Sequence, residues 1–195
     1  MLGLLQGGTF IVKPVGERDA AAILEVYRQC EDFLSLGPAP NASMDMVRAD
    51  LEHSRSVGGI YCGIYAATGC MVGAVDYVPQ MTGADSDKAF LNLLMIAKAY
   101  RSKGIGRQVV ELVEEEITKN KSIKQIHSGV QVNNPGAIRF WKSMAYEIRS
   151  GPELLPDGTT VYHLAKRTRP RPSTSTQRSW ASSRKRMCPL GSSDG

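Results

Sequence analysis

Strand-like and helical periodicities alternate along residues 9–165 in the order β-α-α-β-β-β-α-β-α-β-β, which predicts an α+β fold around a mixed central sheet. Two further observations support a single domain of this kind. The chain has 195 residues and is 42% hydrophobic, enough for one domain with a real core. The run Phe90-Leu91-Asn92-Leu93-Leu94-Met95-Ile96-Ala97 also leads through a short glycine-bearing loop into a helical pattern.

Each element has its own signal. Thr9 to Val15 alternates as a first strand. Glu17 to Leu36 places Ala22, Ile23, Val26, Tyr27, Cys30 and Leu34 at roughly 3.6-residue spacing, and Gly37-Pro38-Ala39-Pro40 breaks that helix. Ser43 caps a second helix, with Met46, Val47 and Leu51 apolar, which Gly58-Gly59 ends. Ile60 to Ala66 and Cys70 to Val78 are strands around the turn Ala67-Thr68-Gly69. Pro79 to Asp87, with Gly83, is a polar loop before the strand that ends at Ala97. A helix from about Gly106 to Lys119 carries Ile105, Val109, Leu112, Val113 and Ile117 on one side. Glu111, Glu114, Glu115 and Glu116 form its solvated face. Gln125 to Val132 is a strand. Asn134 is then an N-cap and Pro135 suits the first helical position, with Ala137, Phe140, Trp141 and Met144 on one face. Strands at Tyr146 to Arg149 and about Thr160 to Ala165 complete the order. There is no internal repeat and no linker within it.

The chemistry concentrates at Arg101-Ser102-Lys103-Gly104-Ile105-Gly106. A strand, a short loop with two glycines and a helix present backbone N–H groups at a helix N-terminus, where anions bind. Gly104 and Gly106 leave no Cβ in the way of a pyrophosphate, and Arg101 and Lys103 add positive charge. A dinucleotide fingerprint does not fit, because its third glycine position is Val109; a P-loop does not fit, because the lysine precedes the glycine.

The pattern R-x-x-G-x-G after a hydrophobic strand resembles the coenzyme A pyrophosphate loop of the GNAT superfamily of N-acyltransferases. Asn134 to Tyr146 resembles that superfamily's N-x-x-A-x-x-φ-Y-x-x-x-G-F pattern, with Asn134 and Ala137 in place. The element order matches as well. The resemblance covers residues 9–165 and implies a mixed, mostly antiparallel sheet flanked by about four helices. It implies an acetyl-CoA-dependent N-acetyltransferase, in which an amine attacks the thioester directly and the protein chiefly positions the reactants. Main-chain groups of Leu94, Met95 and Ile96 would bind pantetheine, with a backbone N–H at Leu94 aimed at the developing oxyanion. Arg101, Ser102, Lys103, Gly104, Ile105, Gly106 and Arg107 would hold the pyrophosphate, mostly by main chain. Asn134, Ala137 and Trp141 complete the expected cofactor contacts.

The sequence departs from the family at four points, the mildest being Tyr146 in place of the usual Phe. The family's tyrosine falls on Trp141, whose indole is a donor only, so the tyrosine's role as acid is not carried over. Its glycine falls on Ala145. Several relatives place a glutamate near the start of the strand that here holds Phe90 and Asn92. Phe90, Asn92 and Leu94 alternate onto one face, and Asn92 is positioned to orient a water or the amine. Asp76, on the preceding strand, is the acidic candidate for proton handling, an ordinary solvent-facing residue being the alternative. His127 and Tyr77 are further groups able to titrate or donate. These departures also motivate a second reading, a module that binds acyl-CoA without turnover.

Net charge is +5, but residues 166–195 hold eight basic side chains and one acid, so residues 1–165 carry −2. That balance favours a cationic amine acceptor, small or on a protein, with Glu31, Asp32, Asp45 and Asp50 as acidic candidates or simply a solvated surface. The Ser/Pro/Arg-rich tail 166–195 is expected to be disordered, as a polyanion-binding arm or a dispensable extension. No metal-ligand spacing joins the four cysteines to His53, His127 or His163. Cys62 and Cys70 fall in adjacent strands, within reach of pairing or as buried free thiols. A reducing, cytoplasmic compartment is expected, with no membrane span or signal peptide, in a monomer or homodimer.

Overall fold

The computed structural model describes residues 5–7 and 10–168. Its strands are β1 (Leu5–Gly7), β2 (Phe10–Pro14), β3 (Ile60–Ala66), β4 (Met71–Val78), β5 (Lys88–Ile96), β6 (Gln125–Gln131), β7 (Glu147–Leu154) and β8 (Thr160–Arg167). The helices are α1 (Ala20–Arg28), α2 (Glu31–Leu34), α3 (Met44–Ser56), α4 (Ile105–Ile117) and α5 (Pro135–Ser143). One sheet runs in the order β1-β2-β3-β4-β5-β6-β8-β7. Every neighbouring pair is antiparallel except β5 with β6, which is parallel.

Each face of the sheet has its own core. On one, Ile23, Val26, Tyr27 and Cys30 of the α1 segment meet Val47 and Leu51 of α3 over Tyr61, Ala74 and Met95. On the other, Val109, Val110, Val113 and Ile117 of α4 and Trp141 of α5 cover Val75, Tyr77, Leu91 and Ile126. Each large aliphatic side chain taken wholly from water contributes about 1.5–3 kcal/mol, so these two layers hold the helices on the sheet.

Several elements differ from the sequence expectation. The single helix over Glu17–Leu36 is a 3-10 turn (Glu17–Asp19), α1 and α2. The break falls at Cys30, a fully buried residue whose Sγ donates to Ile96 O at 3.4 Å, so a tertiary contact overrides a continuous helical period. β1 is an addition to the expected order; it pairs Gly7 with Phe10 and is too short to show a period. β8 runs on to Arg167, and Lys166 Nζ pairs with Glu114 of α4 at 2.6 Å, so Lys166 and Arg167 belong to the fold and not to the tail. The expectations for the tail beyond residue 168 lie outside the described residues. Cys62 is buried, but Cys70 is exposed in the β3–β4 turn and is not a buried thiol; both are free. Among the described residues, no helix is long and apolar enough to cross a membrane.

Ser43 caps α3 as expected, its Oγ accepting from Met46 N–H at 3.1 Å. Asn134 caps α5, Oδ1 accepting from Ala137 N–H at 2.9 Å. α5 closes with Ala145 at φ +65°. Tyr146 N–H returns to Trp141 O at 3.0 Å and Ala145 N–H to Lys142 O at 3.0 Å, the reciprocal pair of a Schellman ending. A Cβ in that left-handed conformation is strained. Ala145→Gly should therefore stabilise the protein by about 1 kcal/mol, read as a raised thermal unfolding midpoint. An unchanged or lowered midpoint would contradict the strain.

Candidate active site

The site begins where the two parallel strands part. β5 and β6 pair from Lys88–Gln125 to Leu91–Ser128 and no further. At that last rung the buried Ser128 Oγ donates to Leu91 O at 2.9 Å. Beyond it β5 stays with β4 as far as Ile96, and β6 stays with β8 as far as Gln131, leaving a V between them. A bulge marks the parting. Asp76 faces Leu93 and Tyr77 faces Leu91, so Asn92 has no opposite residue. The extra residue shifts the phase of the strand. Leu91 and Leu94 both pack on the α4–α5 side, while Leu93 and Met95 pack on the α1–α3 side. The expected one-face grouping of Phe90, Asn92 and Leu94 is corrected accordingly, because simple alternation assumes no bulge.

The ladder also sets where the main chain points. Ala97 N–H donates to Val72 O at 2.9 Å, so Ala97 faces β4. In an antiparallel pair the facing alternates, so Ile96 and Leu94 direct their N–H and C=O away from β4, into the V. Ile96 O is already taken, accepting from Arg101 Nε at 2.7 Å. Leu94 N–H stands at the open edge.

The loop after β5 makes a second feature. Ser102 at φ +60° and Gly104 at φ +80° are both left-handed, the first unforeseen because serine carries no such signal. Gly104 is the N-cap of α4 without a side-chain cap. The first helical bond is Gln108 N–H to Gly104 O at 3.1 Å, so the N–H groups of Ile105, Gly106 and Arg107 precede it. A Cβ on Gly106 would stand 3.7 Å from the Phe140 ring with no clash, so the fold itself does not require glycine there. A bare backbone at a helix N-terminus fits a pyrophosphate. The cations sit otherwise than their sequence suggests. Arg101 donates from both terminal nitrogens to Asp32, Nη2 to Oδ1 at 2.9 Å. Arg107 reaches Ser143 Oγ on α5 at 3.0 Å. Lys103 is exposed, its Nζ 5.3 Å from the Tyr100 ring.

At the end of β6, the Asn134 carbonyl is used by its own cap, leaving its Nδ2 end for other contacts. Ala137 is partly buried against the core. Trp141 is only 7% exposed and stacks edge-on, 5.3 Å from Phe140 and 4.8 Å from Tyr146. It packs in the core.

Asp76 is 3% exposed, which excludes the solvent-facing alternative. Its Oδ1 accepts from Ser54 Oγ at 2.6 Å and its Oδ2 from Asn92 Nδ2 at 2.9 Å. Asn92 itself is exposed, and Asp76 fixes its amide so that Oδ1 is the end turned away. Ser54 was missed, although Val47, Leu51 and Ser54 share one helical stripe and a lone hydroxyl in an apolar stripe is a signal. Beside this group, Tyr27 donates to Asp50, so Tyr61 must donate to Tyr27 across their 2.8 Å contact. Burial raises the Asp50 carboxyl above its ordinary range. Of the four acidic candidates for an acceptor, Asp32 is paired with Arg101, Glu31 accepts from Ala42 N–H at 3.0 Å, and Asp50 is bound by Tyr27. Asp45 is exposed in the first turn of α3. His127 pairs with Phe90 on the joined part of β6, and Tyr77 is wholly buried under α4; neither lies at the V.

A sequence profile of the Acetyltransferase (GNAT) family matches residues 21–146. No curated protein sequence matches the chain. Similar solved structures include an acetyltransferase from Thermus thermophilus, 19% identical, TM-score 0.68, covering 83% of this chain and 98% of that one. A ribosomal L7/L12 α-N-protein acetyltransferase in complex with coenzyme A is 11% identical, TM-score 0.69, covering 85% and 98%. The spermidine N-acetyltransferase of Vibrio cholerae, in complex with coenzyme A and spermine, is 13% identical, TM-score 0.64, covering 83% and 96%. At these identities the structures attest the fold alone, whereas the profile spans well over half of the chain. With its parted parallel strands and glycine-led helix, the chain belongs to the GNAT family of acetyltransferases.

Proposed function

We propose that this protein moves an acetyl group from acetyl-CoA to a primary amine by direct attack in a ternary complex. The observation that carries the reading is the V between β5 and β6, with the Leu94 main chain facing into it and the bare N-terminus of α4 at its end. Bound there, acetyl-CoA supplies an activated thioester. The N–H groups of Ile105 to Arg107 hold the pyrophosphate, Leu94 and Ile96 line the pantetheine, and Leu94 N–H stabilises charge developing on the thioester oxygen. Arg101 braces the loop and Lys103 supplies charge at its rim. An alkyl ammonium has a pKa near 10.4 and must lose a proton before attack. Asn92 presents its Oδ1 to that amine, and Asp76 holds the amide in the accepting orientation. Asp76 does not touch the amine; it acts through Asn92. Attack forms the C–N bond and breaks the thioester C–S bond, water carries the amine's protons away, and coenzyme A leaves as a thiolate that solvent protonates. The acceptor is a small amine or a protein amine, the two classes that the names of the similar acetyltransferases describe.

A second reading, a module that holds acyl-CoA without turnover, is favoured by one observation: Trp141 occupies the position of the family's acid and is buried. Calorimetric titration with acetyl-CoA, followed by thiol release in an amine panel, separates the two. Amine-dependent release establishes transfer. Binding without release in any amine supports the module.

Gly106→Glu should keep the fold and weaken coenzyme A binding by more than about a hundredfold, since a side chain and a negative charge then occupy the pyrophosphate position. Retained affinity in the folded variant would sink the loop assignment. Asn92→Ala and Asp76→Asn should each lower kcat by about ten- to a hundredfold while leaving coenzyme A affinity unchanged. Full turnover in Asn92→Ala would remove that residue from the mechanism. Trp141→Phe should keep most turnover, and a loss of about a thousandfold would contradict a purely packing role for Trp141.

A further inference from the structure

Beyond Leu91 and Ser128 no backbone pairing joins the two arms of the V, yet one short stretch of chain touches both. At the β5 arm, Cys30 Sγ and Arg101 Nε converge on the carbonyl of Ile96, at 3.4 and 2.7 Å. The guanidinium of Arg101 then clasps both carboxylate oxygens of Asp32 on α2. At the β6 arm, Asn133 Nδ2 donates to Leu36 O at 3.0 Å. The next residue, Gly37, lies so close that a Cβ there would stand 3.4 Å from Gln131 Nε2. Cys30 to Gly37 therefore runs from the end of one parted strand to the end of the other.

The two anchorages differ in kind. The Arg101–Asp32 pair is a two-pronged, charge-assisted contact that fixes direction as well as distance. It also occupies the first residue of the loop that leads to α4. The Asn133–Leu36 bond is neutral and single. A change in the spacing of the arms has to break one or the other.

We propose that Cys30–Gly37 is a strap that sets the opening of the V, and that Asp32 is a positioning residue acting through Arg101 on Ile96 and the start of the loop. The consequence for acetyl transfer rests on the reading of the V as the pantetheine groove; the strap itself does not. A shift of about an ångström in a positioned reactant costs up to about a hundredfold in rate, so a device that fixes this width bears on catalysis without touching substrate.

The first test needs no ligand. In the full chain, Asp32→Asn and Asn133→Ala should each speed amide hydrogen exchange over residues 92–97 and 129–133 by about tenfold or more, while the core of α4 keeps its rates. Unchanged exchange at the arms in both folded variants would overturn the strap. The second test compares coenzyme A with 3′-phospho-ADP, which lacks the pantetheine arm. Asp32→Asn should weaken coenzyme A by about tenfold and 3′-phospho-ADP by less than about twofold, read by calorimetry. Equal weakening of both would mean that the pair shapes only the phosphate loop, against the proposal. If the unaltered chain bound neither compound, the reading of the site would fall, and the exchange experiment would still decide the strap.

Discussion

Asn92 is one residue more than the ladder between β4 and β5 can pair, and the working end of the molecule is arranged around that surplus. A bulge twists and bends its strand. Here the bend coincides with the last rung shared by β5 and β6, so the extra residue and the parting of the strands are one event. It exchanges the faces of the strand, sending Leu94 to the side of Leu91. It also brings the Asn92 amide over Asp76, which would otherwise be a buried carboxylate with a single donor, Ser54. Burying a charge without partners is costly, and two donors on two oxygens offset that cost.

Much of this was legible in the sequence where the signal was local. Gly104 of the loop, the Asn134 cap, the Ser43 cap and the hairpin around Gly69 follow from conformational needs that a few residues express by themselves. The family pattern marked Ala145 as the place of a glycine, but only the structure shows that the helix ends there in a left-handed conformation. What escaped is non-local. The break at Cys30 is decided by a carbonyl sixty-six residues away, and the partner of Arg101 lies sixty-nine residues away. A bulge leaves an apolar run looking like a regular strand, so the face of Leu94 could not be read from alternation.

Arg101 illustrates how charge alone misleads. In the sequence it stands beside the glycines of the proposed pyrophosphate loop and reads as a ligand for an anion. In the fold its guanidinium is engaged by a carboxylate and a carbonyl, and the Asp32 carboxyl is held below the usual range by that contact. With Arg101 so engaged, the proposed pyrophosphate site rests on the oriented N–H groups of α4, which depend on geometry and not on a mobile side chain, and on Lys103 at its rim.

The packing of Trp141 has an optical consequence. Its indole is shielded from water by Phe140 and Tyr146, and the Phe140 ring is also what a Cβ on Gly106 would touch. Of the two tryptophans of the chain, Trp141 therefore sits one aromatic ring from the glycine loop, in an apolar setting that favours emission at short wavelength. Any event that displaces Phe140 from the loop changes the surroundings of that indole, so the chain carries a spectroscopic reporter of its own loop, built from residues whose first duty is to fill the core.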